Sequence, residues 1–341
     1  MLTPVKERLQ DMRPQCVWVT GASGFIGGWI WRRLMAEGCD AWGIGRRQVD
    51  GPNYRSISLG GTDESLASLG DRHRLPPPDV IVHAAARSSP WGSRHEFQRD
   101  NVRATEQVIS FAEEAPATRV IFISSSSVLY RAGHQWELSE ETPLAERPLN
   151  HYAATKQVCE QRVATLGDRG VILRPRAVFG PGDTVLLPRI LEAARAGRLP
   201  WIRATEPVIG DLVYVENLVD VVLRSVDDAN IHGLFHVTNQ EPVDVREFLS
   251  AVFDELGIAL PKRQVARRTA MMAAAGLELF HKLLRPRIEP PITRFGVHVF
   301  AYSKTFAPEK QLTTFGPPRV SLAEGRERTV RYFRELANNV S

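Results

Sequence analysis

The segment Tyr152-Ala-Ala-Thr-Lys156 carries the residues of this sequence that are best suited to proton chemistry. A spacing of four residues places the phenol and the ammonium on one face of a helix, about one turn apart. A free phenol with a pKa of about 10 is a poor acid–base group at neutral pH, and a neighbouring positive charge lowers that pKa. Because such a pair also arises by chance on helix surfaces, its position in the fold decides its meaning.

A glycine-rich loop supplies that position. The run TGASGFIG (20–27) directly follows the apolar run CVWVT (16–20) and opens a helical pattern that reaches Gly38, a C′ residue. Its glycines allow a tight turn, close approach of backbone to a pyrophosphate, and close packing of helix on sheet. A plain turn is the alternative, but strand, loop and helix in register favour a dinucleotide site. We expect contacts to the cofactor from Gly21, Ser23, Gly24, Phe25, Ile26 and Gly27.

Two arginines at the end of the second predicted strand indicate which dinucleotide binds. An enzyme that uses NAD usually has an Asp or Glu there, which holds the ribose 2′-hydroxyl. This chain has Arg46 and Arg47 instead. A guanidinium pairs with a 2′-phosphate, whereas a carboxylate repels it, so we expect NADP(H) rather than NAD(H). The alternative is that both arginines belong to a solvated turn.

Strand-like and helical patterns alternate through the first half of the chain. Apolar runs at 16–20, 41–45, 79–86 and 119–125 are separated by helical patterns, the clearest at 25–38 and 102–115. This order predicts an α/β fold with a Rossmann-type, doubly wound parallel sheet and a smaller, partly helical C-terminal substrate lobe. We assign 1–177, completed by about 207–240, to the cofactor domain. The lobe comprises 178–206 and 241–341.

The glycine loop, the YAATK segment and several further motifs resemble the short-chain dehydrogenase/reductase superfamily, in particular its extended branch. The resemblance covers nearly the whole chain and includes VIVHAAA, NVRATE, SSSSVLY, LRPRAVFGPGD and DLVYVENLVD. It implies that Tyr152 exchanges a proton with the substrate and that Lys156 tunes Tyr152 while binding ribose hydroxyls. It also implies a serine that polarises the substrate oxygen, for which Ser126 is the matching residue and Ser125 the second choice.

The same resemblance suggests further contacts and a structural residue. Asn101 matches a family asparagine that fixes backbone geometry, and we expect it to be structural rather than catalytic. Where the family commonly has an Asp near the adenine, this chain has Leu59 or Gly60, so that contact is in doubt. We expect additional cofactor contacts from Ala84, Ala85, Tyr152, Lys156, Pro175 and Val178, and substrate contacts from Trp91, Ser126 and Phe179.

Departures from the family pattern indicate the branch. Nucleotide-sugar enzymes have an Asn and an Arg for the substrate diphosphate at positions that Ala177 and Gly210 occupy here, and the dehydratases have Asp-Glu where Ser127-Val128 stands. Without a guanidinium and an amide donor, much of the grip on a diphosphate is lost. The remaining pattern is similar to the 3β-hydroxysteroid dehydrogenase-like group, which includes reductases of 2-alkyl-3-keto acids.

The favoured hypothesis is an NADP(H)-dependent oxidoreductase that interconverts a ketone and a secondary alcohol on a lipophilic, steroid-like or β-keto acid-like substrate. One alternative is a nucleotide-sugar epimerase or dehydratase with tightly bound NAD. Another is a non-catalytic protein that binds NADP(H) as a sensor, against which the intact Ser, Tyr and Lys set argues.

Composition limits the partners. A net charge of +4 over 341 residues argues against nucleic acid, and three separated cysteines suit a reducing cytoplasm. The N-terminal segment 1–15 has acidic residues and no apolar run, so we expect neither a signal peptide nor a membrane anchor. His232 and His236 would lie about 13 Å apart on a strand, so we expect no metal site. The resemblance implies a homodimer formed through helices like 102–115 and 152–166.

One segment stands out by its charge. Between Lys262 and Lys304 there are nine Lys or Arg and two Glu, interleaved with the apolar run MMAAAGLELF (271–280). A solvated helix face is one interpretation. A cap over a lipophilic or acidic substrate, which grazes a membrane surface, is the other.

Overall fold

The computed structural model describes residues 16–338, so the expectation for segment 1–15 lies outside the described residues. Its β-strands are β1 Cys16–Thr20, β2 Asp40–Gly45, β3 Tyr54–Ser56, β4 Val80–His83, β5 Arg119–Ile123, β6 Gln135–Leu138, β7 Gly170–Pro175, β8 Val178–Phe179, β9 Trp201–Arg203, β10 Ile209–Gly210, β11 Val213–Tyr214, β12 Gly233–Val237, β13 Val243–Asp244, β14 Gln264–Ala266 and β15 Lys304–Phe306.

The α-helices are α1 Phe25–Ala36, α2 Leu66–Arg72, α3 Arg94–Phe97, α4 Ala104–Glu114, α5 His151–Ala164, α6 Leu187–Arg195, α7 Val215–Asp227, α8 Val245–Glu255, α9 Arg267–Leu284, α10 Arg294–Ala301, α11 Glu309–Phe315 and α12 Leu322–Asn338. A π-helical stretch, Gln98–Arg103, joins α3 to α4, and 3₁₀ turns occupy Ser126–Leu129 and Gly167–Arg169. No helix within 16–338 is long and apolar enough to cross a membrane.

Seven parallel strands form the central sheet in the order β12-β7-β5-β4-β1-β2-β3. The order reverses next to β1, so the carboxyl ends of β1 and β4 border a crevice, which is where open α/β sheets bind ligands. The Rossmann-type, doubly wound fold expected from the sequence is therefore confirmed.

Two apolar clusters cover the two faces of this sheet. On one face, Val17 and Val19 of β1 pack with Ile30 and Leu34 of α1, and on the other Trp18 packs with residues of α2 and α4. Every residue of β1 and β4 is buried. Strands covered on both faces must be apolar throughout, which is why runs such as VIVH alternate so little between apolar and polar.

Helix ends follow the local signals. Gly38 adopts a φ of +83° just after α1, and its N–H donates to the Met35 carbonyl at 3.0 Å. The C′ role expected of Gly38 is thus confirmed. At α12, the Ser321 hydroxyl accepts a hydrogen bond from the Glu324 N–H at 3.2 Å and so caps the start of the helix.

The C-terminal third contributes to both parts of the molecule. A second sheet, β13-β10-β15-β6, pairs β15 with β6, although β6 lies within the range assigned to the cofactor domain. Helices α9 and α10 pack together around Ala270, Ala274, Val297 and Ala301. The two predicted units therefore share a sheet and are not separated by a linker.

Candidate active site

The glycine loop forms a cradle that only small residues permit. Gly21 has a φ of +75°, and a Cβ added there would lie 2.7 Å from the Ala85 backbone nitrogen. A Cβ on Gly27 would lie 2.4 Å from the Gly21 carbonyl oxygen. Helix α1 begins at Phe25, so its first N–H groups point into the crevice beside the loop. Such a loop accommodates a pyrophosphate at the positive end of a helix dipole.

A cleft of about 370 Å³ extends from this loop. The residues that line it include most of the expected cofactor contacts: Gly21, Ser23, Gly24, Phe25, Ile26, Gly27, Arg46, Arg47, Ala84 and Ala85. Four further expected contacts do not line this cleft: Pro175 in β7, Val178 in β8, and Tyr152 and Lys156 in α5. Ile57 and Leu59, which follow β3, also line the cleft. Apolar side chains therefore stand where the family commonly has an Asp near the adenine.

The two arginines at the end of β2 lie at the mouth of the cleft. The Arg46 Nη1 is 3.3 Å from Oδ2 of Asp100, and Arg47 donates to the Ser23 carbonyl. Arg87 and Arg99 also donate to Asp100. Burial alone would raise the pKa of Asp100, but hydrogen bonds from Arg99 and Arg87 and the charge of Arg46 lower it. The carboxylate is therefore ionised and surrounded by arginines, which leaves an excess of positive charge at this end.

Tyr152 and Lys156 lie in the first two turns of α5, which starts after an N-cap at Asn150. Burial lowers the pKa of Lys156 to about 8, and its Nζ donates to the Ile123 carbonyl oxygen at 2.7 Å. The Nζ is 6.0 Å from the Tyr152 ring and 4.4 Å from the Phe122 ring. Tyr152 and Lys156 therefore lie on one helix face, as expected. One of the hydrogen bonds that the ammonium can donate goes to a backbone carbonyl.

The Tyr152 phenol has the opposite pKa shift to the one its sequence suggests. Burial raises the pKa of Tyr152, and hydrogen bonds with the hydroxyls of Ser125 and Ser88 offset only part of that effect. At neutral pH the phenol is therefore protonated and able to act as a proton donor.

The serine beside Tyr152 is Ser125, the second choice of the sequence analysis, whereas the first choice, Ser126, contacts Tyr130. Ser126 is 2% exposed and its Oγ lies 2.9 Å from the Tyr130 hydroxyl, inside the 3₁₀ turn. Ser125 is the N-cap of that turn and is half-buried, with its hydroxyl at Tyr152. In a run of four serines, a shift of one position changes the direction in which the side chain points. The spacing in the sequence therefore does not determine which serine faces Tyr152.

Ser88 and Asp100 are site residues that the sequence interpretation missed. Ser88 lines the cleft and contacts the Tyr152 phenol, so it connects the cofactor cleft with the proton donor. Asp100 lines the same cleft and holds Arg46 in place. The signal available for Ser88 was its position five residues after β4, at the carboxyl edge of the sheet.

A second, larger cavity of about 520 Å³ lies beside the cleft, and Val185 lines both. Its walls come from α6, α8, α9 and α10 and are mainly aliphatic, aromatic and proline side chains. Leu186, Ile190, Leu249, Ile292 and Phe300 are examples. Such a lining suits an apolar ligand.

The two remaining substrate candidates do not line this cavity. Phe179 is fully buried and packs on Tyr214 and Phe248, so its expected substrate contact is corrected to a core role. Trp91 donates through Nε1 to the Pro286 carbonyl oxygen at 3.1 Å. It therefore holds the loop after β4 against the basic segment, and its neighbour Pro90 lines the cavity instead.

Comparisons with known proteins agree with this site. A sequence profile of the NAD dependent epimerase/dehydratase family matches residues 17–236. The chain is 30% identical over 325 residues to 2-alkyl-3-oxoalkanoate reductase of Stenotrophomonas maltophilia, covering 91% of this chain and 97% of that protein. It is 28% identical to human sterol-4-alpha-carboxylate 3-dehydrogenase, decarboxylating, covering 96% and 90%. The chain belongs to the NAD dependent epimerase/dehydratase family, in its extended, 3β-hydroxysteroid dehydrogenase-like branch.

Solved structures show the same fold. WbmH of Bordetella bronchiseptica, solved in complex with NAD+, superposes with a TM-score of 0.71 at 22% identity, covering 94% of this chain and 99% of that one. UDP-glucose 4-epimerase of Thermotoga maritima superposes with a TM-score of 0.71 at 18% identity, with the same coverage. Together with the sequence relatives, the site defines an NAD(P)-dependent dehydrogenase or reductase that acts on CH–OH groups.

Proposed function

We propose that this protein uses NADPH to reduce the ketone of a lipophilic substrate, with a long-chain 2-alkyl-3-keto acid as the first candidate and a 3-keto steroid as the second. The observation that carries the proposal is that Tyr152 hydrogen-bonds with Ser88, which lines the dinucleotide cleft, and that this cleft meets the apolar cavity at Val185. The relatives named 2-alkyl-3-oxoalkanoate reductase and sterol dehydrogenase support the substrate class.

The residues divide the work as follows. The bound dinucleotide supplies the hydride. Tyr152 donates its phenolic proton to the ketone oxygen, and the Ser125 hydroxyl donates a hydrogen bond to the same oxygen. Lys156, charged at neutral pH, stabilises the phenolate that remains. In the oxidative direction the phenolate accepts the proton of the alcohol.

NADP(H) is favoured over NAD(H) because Arg46 and Arg47 line the cleft at the end of β2 and no carboxylate occupies that position. The carboxylate that contacts Arg46, Asp100, also accepts hydrogen bonds from Arg87 and Arg99. A 2′-phosphate would meet a cluster of guanidinium groups there, with bidentate pairing available to it.

A screen of NADPH consumption tests the substrate class. The purified protein is mixed with NADPH and, separately, a long-chain 2-alkyl-3-keto acid, a 3-keto steroid, an aryl ketone or a UDP-sugar, and each reaction is repeated with NADH. We expect net oxidation of NADPH with the keto acid or steroid and none with the sugar nucleotide. Sugar epimerisation without net consumption of NADPH would overturn the proposal and establish the epimerase alternative.

We also propose a homodimer through α4 and α5 in the cytoplasm. The two helices contact each other, with Arg162 3.7 Å from Glu106. Val158 on α5 is 39% exposed although it is apolar, as expected of a residue at a subunit interface. Light scattering of the wild type and of Val158→Glu tests this, and a wild-type monomer would contradict it.

A further inference from the structure

Helix α9 is apolar on the side that faces the protein and on the side that faces away from it. Its inner face carries Ala270, Ala274 and His281, all buried, and packs on α10. Ala270 also lines the apolar cavity. The helix therefore forms one wall of the cavity and presents its other side outward.

The outer side holds the most exposed apolar side chains among the described residues. Met272 is 75% exposed, Leu279 is 58% exposed and Leu283 is 70% exposed. Spacings of seven and four residues place these three on one stripe, opposite the buried face. Phe280 and Leu284, on the adjacent flank of α9, and Ile288, in the turn that follows the helix, are also exposed. We refer to these six residues as the outer stripe.

Positive charge surrounds the outer stripe. Seven exposed cations stand before, on and after α9: Lys262, Arg263, Arg267, Arg268, Lys282, Arg285 and Arg287. The two acids of the same region are engaged by arginines, since Glu278 lies 2.7 Å from Arg294 and Glu289 lies 2.7 Å from Arg189. The surface that α9 presents is thus apolar in the middle and cationic around it.

We propose that the outer stripe docks α9 flat on an anionic phospholipid bilayer. An amphipathic helix with leucine, methionine and phenylalanine on one side and basic residues beside them binds at the headgroup boundary, where the cations meet anionic lipid. A second copy of this chain fits the surface poorly, because a two-fold interface would set the seven cations against their equivalents. At 18 residues α9 lies on the bilayer and does not span it.

The placement also connects the bilayer with the cavity. Because Ala270 lines the cavity from the inner face of α9, a lipophilic substrate taken from the membrane would enter beside this helix. That consequence rests on the proposed function, whereas docking does not. Docking is therefore measured by binding in the absence of substrate and cofactor.

Co-sedimentation with vesicles tests the proposal on the full chain. One set of vesicles is phosphatidylcholine alone, and the other is phosphatidylcholine and phosphatidylglycerol in a two-to-one ratio. We expect sedimentation with the anionic vesicles at physiological ionic strength, weakened by added salt. Leu279→Gln/Leu283→Gln should weaken binding on the order of a hundredfold. Arg268→Gln/Lys282→Gln should weaken it by about fivefold per charge.

A matched control uses exposed leucines outside α9. Leu312 is 40% exposed and Leu336 is 47% exposed, so Leu312→Gln/Leu336→Gln makes the same change at two other exposed leucines and should leave vesicle binding unchanged. Urea unfolding of each variant confirms that it folds. The proposal is overturned if the wild type ignores anionic vesicles, if the control weakens binding as much as the α9 variant, or if light scattering shows an oligomer that Leu279→Gln/Leu283→Gln dissociates.

Discussion

The dinucleotide cleft and the apolar cavity meet at Val185 but are lined by different kinds of groups. The cleft is formed by backbone, by glycines and by small side chains at the carboxyl ends of β1, β2 and β4, and polar groups define its charge. The cavity is formed by side chains from four helices and from the segments 199–208 and 289–293, and most of these side chains are apolar.

Because of this difference, the two regions differ in the substitutions that they tolerate. A Cβ at Gly27 meets backbone at 2.4 Å, which cannot move without shifting the loop, so the cleft admits almost no change there. The cavity wall consists of side chains that repack, so it can change shape while the fold persists. We infer that the cleft fixes the chemistry and the cavity sets the substrate.

The largest effect is expected at Tyr152, the proton donor that contacts Ser88 of the cleft. Tyr152→Phe removes the proton donor and keeps the ring, so we expect kcat to fall by about a thousandfold because general acid catalysis is lost. Binding of NADPH, measured by fluorescence titration, should be unchanged. If kcat were retained, Tyr152 would not be the acid.

The next effect distinguishes two adjacent hydroxyls. Ser125→Ala should lower kcat/KM by about a hundredfold, because it removes a hydrogen bond to the reacting oxygen. Ser126→Ala should lower it only a few-fold, because Ser126 is buried and pairs with Tyr130. Steady-state kinetics of both variants decides, and the reverse ranking would restore the assignment to Ser126.

A smaller effect is expected at the cationic end of the cleft. Arg46→Ala/Arg47→Ala should raise the Kd for NADPH by about tenfold to a hundredfold, since charged hydrogen bonds to the 2′-phosphate disappear. The Kd for NADH should hardly change. Arg103→Ala removes an exposed arginine that pairs with Asp63 instead, and serves as the control. Equal losses for both cofactors would refute a 2′-phosphate site.

The smallest effect is expected in the cavity. Ala193 is half-buried in α6 and lines the cavity, so Ala193→Leu should raise KM for long-chain substrates by about tenfold and leave short ones and NADPH unaffected. Arg195→Leu places the same side chain on the exposed side of α6 as a control. A uniform loss for all chain lengths would indicate that the cavity does not hold the chain.

The cofactor half of the fold was predictable because its motifs record backbone requirements. Gly21 has a positive φ, and Gly27 lies in close contact with the Gly21 backbone. Both requirements restrict these positions to glycine, so they are visible in the residue type and the spacing. The helix that begins at His151 lies within two residues of the predicted range 152–166, and β1 coincides with the apolar run 16–20. The residues lining the cavity left no comparable mark, because leucine or isoleucine is equally common in any core.

The errors have specific physical causes. Four consecutive serines satisfy the same spacing, so only the path of the 3₁₀ turn shows that Ser125 faces Tyr152. Phe179 follows a strand end as a ligand contact would, yet its short strand β8 pairs with β11 and turns it into the core. The pKa of Tyr152 is raised by burial, and the sequence around Tyr152 does not encode that burial locally.

The central claim is net transfer of hydride from NADPH to a ketone carbon. It is tested most directly with NADPH that carries deuterium at both C4 positions of the nicotinamide, mixed with the most active ketone of the screen and followed by mass spectrometry of the product. We predict one deuterium on the carbinol carbon for each NADPH consumed, and no transfer with Tyr152→Phe. A product without deuterium, or a label that returns to the cofactor without net consumption, would contradict the account.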